Sequence, residues 1–148
     1  MAKTKIKFEL KGFEDLLEQI QKAGGSIERA TEKALLNGAN LLTNDFKTGA
    51  INRGLELDRL ITPQVKWNKN RASIEAGFEL GDYDERNPNS AYIAMFTEYG
   101  TIKRTTKAGA NRGTITPDPF IRPAREKDAA KVKRYQKEAL EEILRGLS

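Results

Sequence analysis

Asp82, Asp84, Asn87 and Asn89, in the stretch GDYDERNPNS, are the residues whose types and spacing come nearest to a metal site. A calcium loop places oxygen ligands at alternate positions and a glycine at the sixth, because a hard cation needs converging oxygens and the chain must turn sharply between them. Arg86 stands at the third ligand position and Asn87 in the glycine slot, so the stretch reads as a solvated turn. The glycines of KAGANRG (107 to 113) lack the lysine and hydroxyl order that cradles phosphate at a helix N-terminus, and this segment reads as a flexible loop. The chain contains no histidine and no cysteine, which removes the commonest general base, the commonest transition-metal ligand and all thiolate chemistry. The remaining carboxylates, lysines, tyrosines and hydroxyls show no nucleophile and base spacing that a reaction would demand. The expectation is a non-enzyme with no catalytic residue, no metal ligand, no cofactor and no small-molecule substrate.

The elements behind these residues follow from hydropathy patterning. At 148 residues the chain fits one domain with room for a real core. Neither a run long and apolar enough for a membrane span nor a signal-peptide block at MAKTKIKFELKG is present, so a soluble, unexported protein without membrane contact is expected. Residues 5 to 10 alternate Ile6, Phe8 and Leu10 with charged residues, the period of a half-buried strand. From Phe13 the period changes to that of a helix, with Leu16, Leu17 and Ile20 on one face, and Gly24 and Gly25 break it. Ser26 then caps a long helix with Ile27, Ala30, Ala34, Gly38, Leu41, Leu42 and Phe46 on one side. Its small residues make a shallow groove, expected to pack on the protein's own sheet. Residues 48 to 63 read as a connection with at most a helical turn.

Val65 and Trp67, a polar turn, then Ile74, Ala76, Phe78 and Leu80 in alternation predict an antiparallel hairpin over 64 to 68 and 72 to 80 with one buried face. Ser90 is the expected cap of a short helix whose Tyr92, Met95, Phe96 and Tyr99 step by three and four, and Gly100 ends it. Residues 102 to 117 carry Lys103, Arg104, Lys107 and Arg112 with no acid, the composition of a mobile basic loop. Beyond three prolines a final helix runs to about Leu147, with Val132, Tyr135, Ala139, Ile143 and Leu147 as its stripe. Its first half is basic and its second half acidic, the wrong way round for the helix dipole, which suggests contacts with another subunit. The fold class is α+β: an antiparallel sheet packed against a long N-terminal helix and a C-terminal helix, with a mobile basic loop.

The segment AYIAMFTEYGT (91 to 101), followed after a loop by PDPFIRPA (117 to 124) and an amphipathic helix, resembles a family of tail-component proteins of long-tailed bacteriophages. In that family an aromatic-rich helix ends in an E-[FY]-G-T signature and leads into a P-x-x-P-F-[IL]-R-P-A turn. The matching positions are Tyr92, Phe96, Glu98, Tyr99, Gly100 and Thr101, then Pro119, Phe120, Arg122, Pro123 and Ala124. The opening FELKGFEDLLEQI is also similar to the family's start, whereas the loop between the motifs is longer and more basic. The resemblance implies a virion protein of the neck or tail, made in the host cytoplasm. Its implied partners are copies of itself in a ring, expected to be hexameric, other neck and tail proteins, and packaged DNA.

Two further readings stand beside this one. Tyr99, Gly100 and Phe120 also suit plain fold determinants, the glycine as a cap and Phe120 as a plug into the core held by flanking prolines. A net charge of +5, with Lys103, Arg104, Lys107, Arg112 and a run of bases from Arg122 to Lys137, also fits a nucleic-acid-binding protein. That reading lacks a base-stacking platform or a helix-turn-helix or zinc pattern.

Overall fold

The structure is a computed structural model that describes residues 4–84, 86–100, 104–105, 111–113 and 116–147. Element order is β1 (Lys5–Phe8), α1 (Glu14–Lys22), α2 (Ile27–Asn52), β2 (Lys66–Asn68), β3 (Arg71–Gly77), α3 (Ser90–Tyr99), β4 (Arg104–Thr105), β5 (Asn111–Gly113) and α4 (Ile121–Gly146). The fold is α+β, with one three-stranded antiparallel sheet in the order β1-β3-β2. Ile6 stands opposite Ala76 and Trp67 opposite Ala72. A two-residue turn at Lys69, which takes φ 58°, joins β2 to β3. Ala72, Ile74, Ala76 and Phe78 are buried in alternation, as the hairpin reading expects. The opposite face is charged: Lys5 bridges Glu75 at 2.9 Å and Glu79 at 2.8 Å. The Lys5 hydrogen bond is the main reason that the Glu75 carboxyl sits below the usual carboxylate range.

Three boundaries differ from the sequence reading. The strands are shorter, ending at Phe8 and Gly77; Gly77 takes φ 129° and lies so close to Lys5 that a side chain there would meet β1's backbone. Helix α2 does not stop near Phe46 but continues to Asn52, because Ala50 is a buried position and Gly49 gives the space that Phe120 fills. Helix α4 begins at Ile121, so Pro123 lies inside its first turn, where a missing N–H is tolerated.

Helix α2 is the carrier of the structure. Leu35 and Ala39 pack on Ala72 and Ile74 of the sheet. The small-residue face meets helices instead of the sheet: Ala30 and Ala34 lie with Ile20 and Leu140, and Gly38 faces Val132 and Gln136 of α4. A Cβ at Gly38 would come within 2.9 Å of Val132, so the close approach of α2 and α4 depends on that glycine. The main core joins Leu42, Phe46, Ala76, Phe78, Ala91, Ala94, Phe120 and Ile121, which brings the start of α4 onto the end of the sheet. On α4 the buried positions are Ile121, Asp128, Gln136, Ala139 and Leu140. The expected stripe is thus rotated: Val132, Tyr135 and Ile143 are half-buried and Leu147 is exposed.

Of the basic segment 102 to 117, β4 and β5 form a short antiparallel pair, with Arg104 opposite Gly113. Lys103, Lys107 and the expected mobility of the segment lie outside the described residues. None of the described helices is long and apolar enough to cross a membrane.

Candidate assembly site

The two motif segments meet at one carboxylate. Glu98, in the last turn of α3, is only 4% exposed. Its Oε2 accepts from the backbone N–H of Phe120 at 2.6 Å and of Ile121 at 2.8 Å, and its Oε1 accepts from Arg122 N–H at 2.8 Å. The first four N–H groups of any helix lack partners within it. In α4 these belong to Phe120, Ile121, Arg122 and Pro123; Glu98 serves three and proline has none to serve. The negative charge also sits at the positive end of the α4 dipole. A residue 22 positions away therefore does what a local serine or aspartate cap usually does.

The turn before α4 is held from the other side by Arg53, just past α2. Its guanidinium donates to the Asp118 side chain at 3.0 Å and to the carbonyls of Asp118 and Pro119 at 3.2 Å. It also donates to Gly49 O at 3.0 Å and lies 5.2 Å from the Phe120 ring centre. Asp118 N–H donates to Thr97 O, and Phe120 meets Phe78 edge to face at 6.1 Å. Pro119, Phe120, Arg122 and Pro123 are thus assembled into a built joint between α2, α3, the sheet and α4. Arg53, Asp118 and Gly49 were not singled out by the sequence reading. The only local signal for them was that Pro119 and Phe120, just ahead of α4, supply no cap of their own.

Helix α3 is turned inside out relative to expectation. Its buried residues are Ser90, Ala91, Ala94 and Glu98, whereas Tyr92 and Phe96 are half-buried, Tyr99 is 44% exposed and Ile93 40% exposed. Apart from Glu98, whose carboxylate caps α4, the inner side carries only small residues, and the large side chains lie toward the outside. Tyr83 joins them, with its ring 4.8 Å from Tyr92 and 6.4 Å from Phe96. Apart from buried Glu98, α3 has no charged residue, and its outer face is a neutral aromatic surface. The cap is Asn89, not Ser90: Asn89 Oδ1 accepts from Ala91 N–H and Tyr92 N–H, and its amide donates to Leu80 O. The Ser90 hydroxyl is buried with no partner among the described residues. Asn89→Ala is expected to lower stability by about 1 kcal/mol, read from a thermal melt. Gly100 ends the helix with φ 76° and ψ 179°, leaving in an extended direction.

The remaining candidates are less constrained. Arg104 and Arg112 lie on β4 and β5, and Thr101, Lys103 and Lys107 fall outside the described residues. Asp82 and Asp84 are exposed, and Asp84 accepts from Arg86 N–H at 3.0 Å within its own turn. Among the described residues no three acidic side chains converge on a metal-sized site. No family model, curated protein or solved structure matches this chain.

Proposed function

We propose that this chain is a non-enzymatic structural subunit of a long-tailed bacteriophage that assembles with copies of itself into a ring at the neck or tail end, joining or completing the tail. The observation that carries this reading is the Glu98 joint. The two segments on which the phage resemblance rests are parts of one construction, in which Glu98, Pro119, Phe120 and Pro123 each have a physical task. That construction turns Tyr92, Ile93, Phe96 and Tyr99 outward, and aromatic surfaces poor in charge are what subunit interfaces favour.

Sedimentation and electron microscopy of the purified chain test the reading. Closed rings of uniform copy number are expected, and Ile93→Lys with Tyr99→Lys is expected to yield monomers that melt within about 1 kcal/mol of the parent. A chain that stays monomeric at every concentration and is absent from purified virions overturns it.

A second reading, nucleic-acid binding, is favoured by the exposed bases Arg122, Lys127, Lys131, Lys133, Arg134 and Lys137 on the first half of α4. Arg134 and Lys137 are drawn toward Glu138 and Glu141 on the same helix, which reduces the charge available to phosphates. Retention of a monomeric chain on duplex DNA that falls steeply with salt would support this reading over the ring.

A further inference from the structure

A cleft of about 1050 Å³ opens between α1, the start of α2 and the tip of the β2–β3 hairpin. It is lined by the apolar Leu10, Leu17 and Ile27 together with Glu28, Glu32 and Trp67. Trp67, the only tryptophan in the chain, is 41% exposed and donates its indole N–H to Glu32 Oε1 at 2.7 Å. Arg71 also lines the cleft, but its two hydrogen bonds to Glu9, at 3.0 and 2.9 Å, neutralise that pair. Glu28 and Glu32 then face only Lys69, and Glu28 has no ion-pair partner among the described residues. An aromatic face beside carboxylates is the chemistry that receives a lysine or arginine.

The chain's own sequence carries such a ligand. Residues 101 to 116 contain Lys103, Arg104, Lys107 and Arg112 and no acid. The segment is tied at both ends beside the last turn of α2, through the Asp118–Thr97 hydrogen bond and the Arg53–Asp118 pair. Glu32 lies 21 residues back along α2 from Arg53, which at 1.5 Å per residue is roughly 32 Å. Of these four bases Lys107 is farthest from an anchor, seven residues from Gly100, so fully extended backbone carries any of them at most ~24 Å. They fall short of their own cleft.

The geometry points to a head-to-tail contact in which the basic segment 101 to 116 of one copy enters the Trp67–Glu28–Glu32 cleft of the next. This rests on the ring reading above and deepens it. Two different patches of one surface pair, so each copy keeps one cleft and one segment available, and the arrangement closes into a ring when the rotation between neighbours allows.

The test uses Trp67 as its own reporter. The receiver is the full chain with K103S, R104S, K107S and R112S, so that no copy fills its neighbour's cleft, and the probe is a synthetic peptide of residues 101 to 114. Titration is expected to move Trp67 emission to shorter wavelength, with an apparent affinity that falls at least about tenfold from low to physiological salt. E28K with E32K in the receiver, confirmed folded by its melt, is expected to weaken the peptide by more than about tenfold. A peptide with acids at its four basic positions should recover binding to that receiver. Unchanged emission, or equal binding to the parent and charge-reversed receivers, overturns the socket. If the wild-type chain forms rings while the peptide fails, the ring stands without this contact. If the peptide binds while the wild-type chain never assembles, the ring reading fails instead.

Discussion

Glu98→Ala is expected to lower the stability of the isolated chain by roughly 3–5 kcal/mol, the largest loss from any single truncation outside the apolar core. The carboxylate is buried and accepts three backbone hydrogen bonds, each between an ionised acceptor and an N–H that has no other partner in the helix. Truncation leaves three donors without acceptors in a region packed by Phe78, Phe120 and Ile121, and it removes the negative charge from the start of a 26-residue helix. For a chain of this size the melting temperature should fall by on the order of 10 °C. Glu98→Gln keeps an accepting oxygen but turns an amide toward N–H groups, and should lose about half as much. Hydrogen exchange at Ile121 and Arg122 should accelerate in both variants. A melt within about 1 kcal/mol of the parent for Glu98→Ala would show that the joint contributes little and that α4 is held by its apolar face alone.

The elements with one-sided burial were legible because their hydropathy period has a single interpretation. Ile74, Ala76 and Phe78 alternate with polar residues, and their strand lies where that alternation puts it. Helix α2 was legible to Phe46 and not beyond, since Lys47, Thr48 and Gly49 interrupt the pattern. Gly49 belongs to the helix because Phe120, 71 positions away, fills the space that it leaves. In α3 two stripes have helical spacing, one of large residues and one of Ser90, Ala91, Ala94 and Glu98. Local hydropathy selects the large one. Close packing against the core selects the small one, and the sequence alone does not contain that distance. The partner of Gly38 was missed for a related reason. A groove of small residues announces a close approach but not by which element, and α4 is separated from it by some ninety residues. Of the candidate site, the residue types in both motifs were visible, whereas their convergence on Glu98 was not.

The α4 stripe was misplaced because a charged residue lies in it, and that residue carries a distinct expectation. Asp128 is fully buried between α4 and α2, and neither of its oxygens has a hydrogen-bond partner among the described residues. Burial is the main cause that pushes its pKa from 3.8 to about 6, and the Asp45 carboxyl beside it adds to the shift. Lys131 and Lys127 act in the opposite direction. Two ionised carboxylates offer each other no donor, but a single proton between them supplies one. Because the folded value lies above the unfolded one, the native state binds more protons between about pH 4 and pH 6, and stability falls as pH rises through that window. Above it the full penalty applies, on the order of 2–3 kcal/mol for a shift of this size. Asp128→Asn cannot ionise and presents an amide donor to Asp45. It is therefore expected to be more stable than the parent by about 2 kcal/mol at pH 8, with the difference shrinking toward zero near pH 4. The comparison should be made as a difference between the two proteins at each pH, because Glu9 and Glu75 are held below the usual carboxylate range and contribute the opposite slope to both. A variant no more stable than the parent at pH 8, or a difference that does not change between pH 4 and pH 7, would mean that the buried carboxylate is already neutralised by a partner, with Lys131 or Lys127 the nearest source of charge.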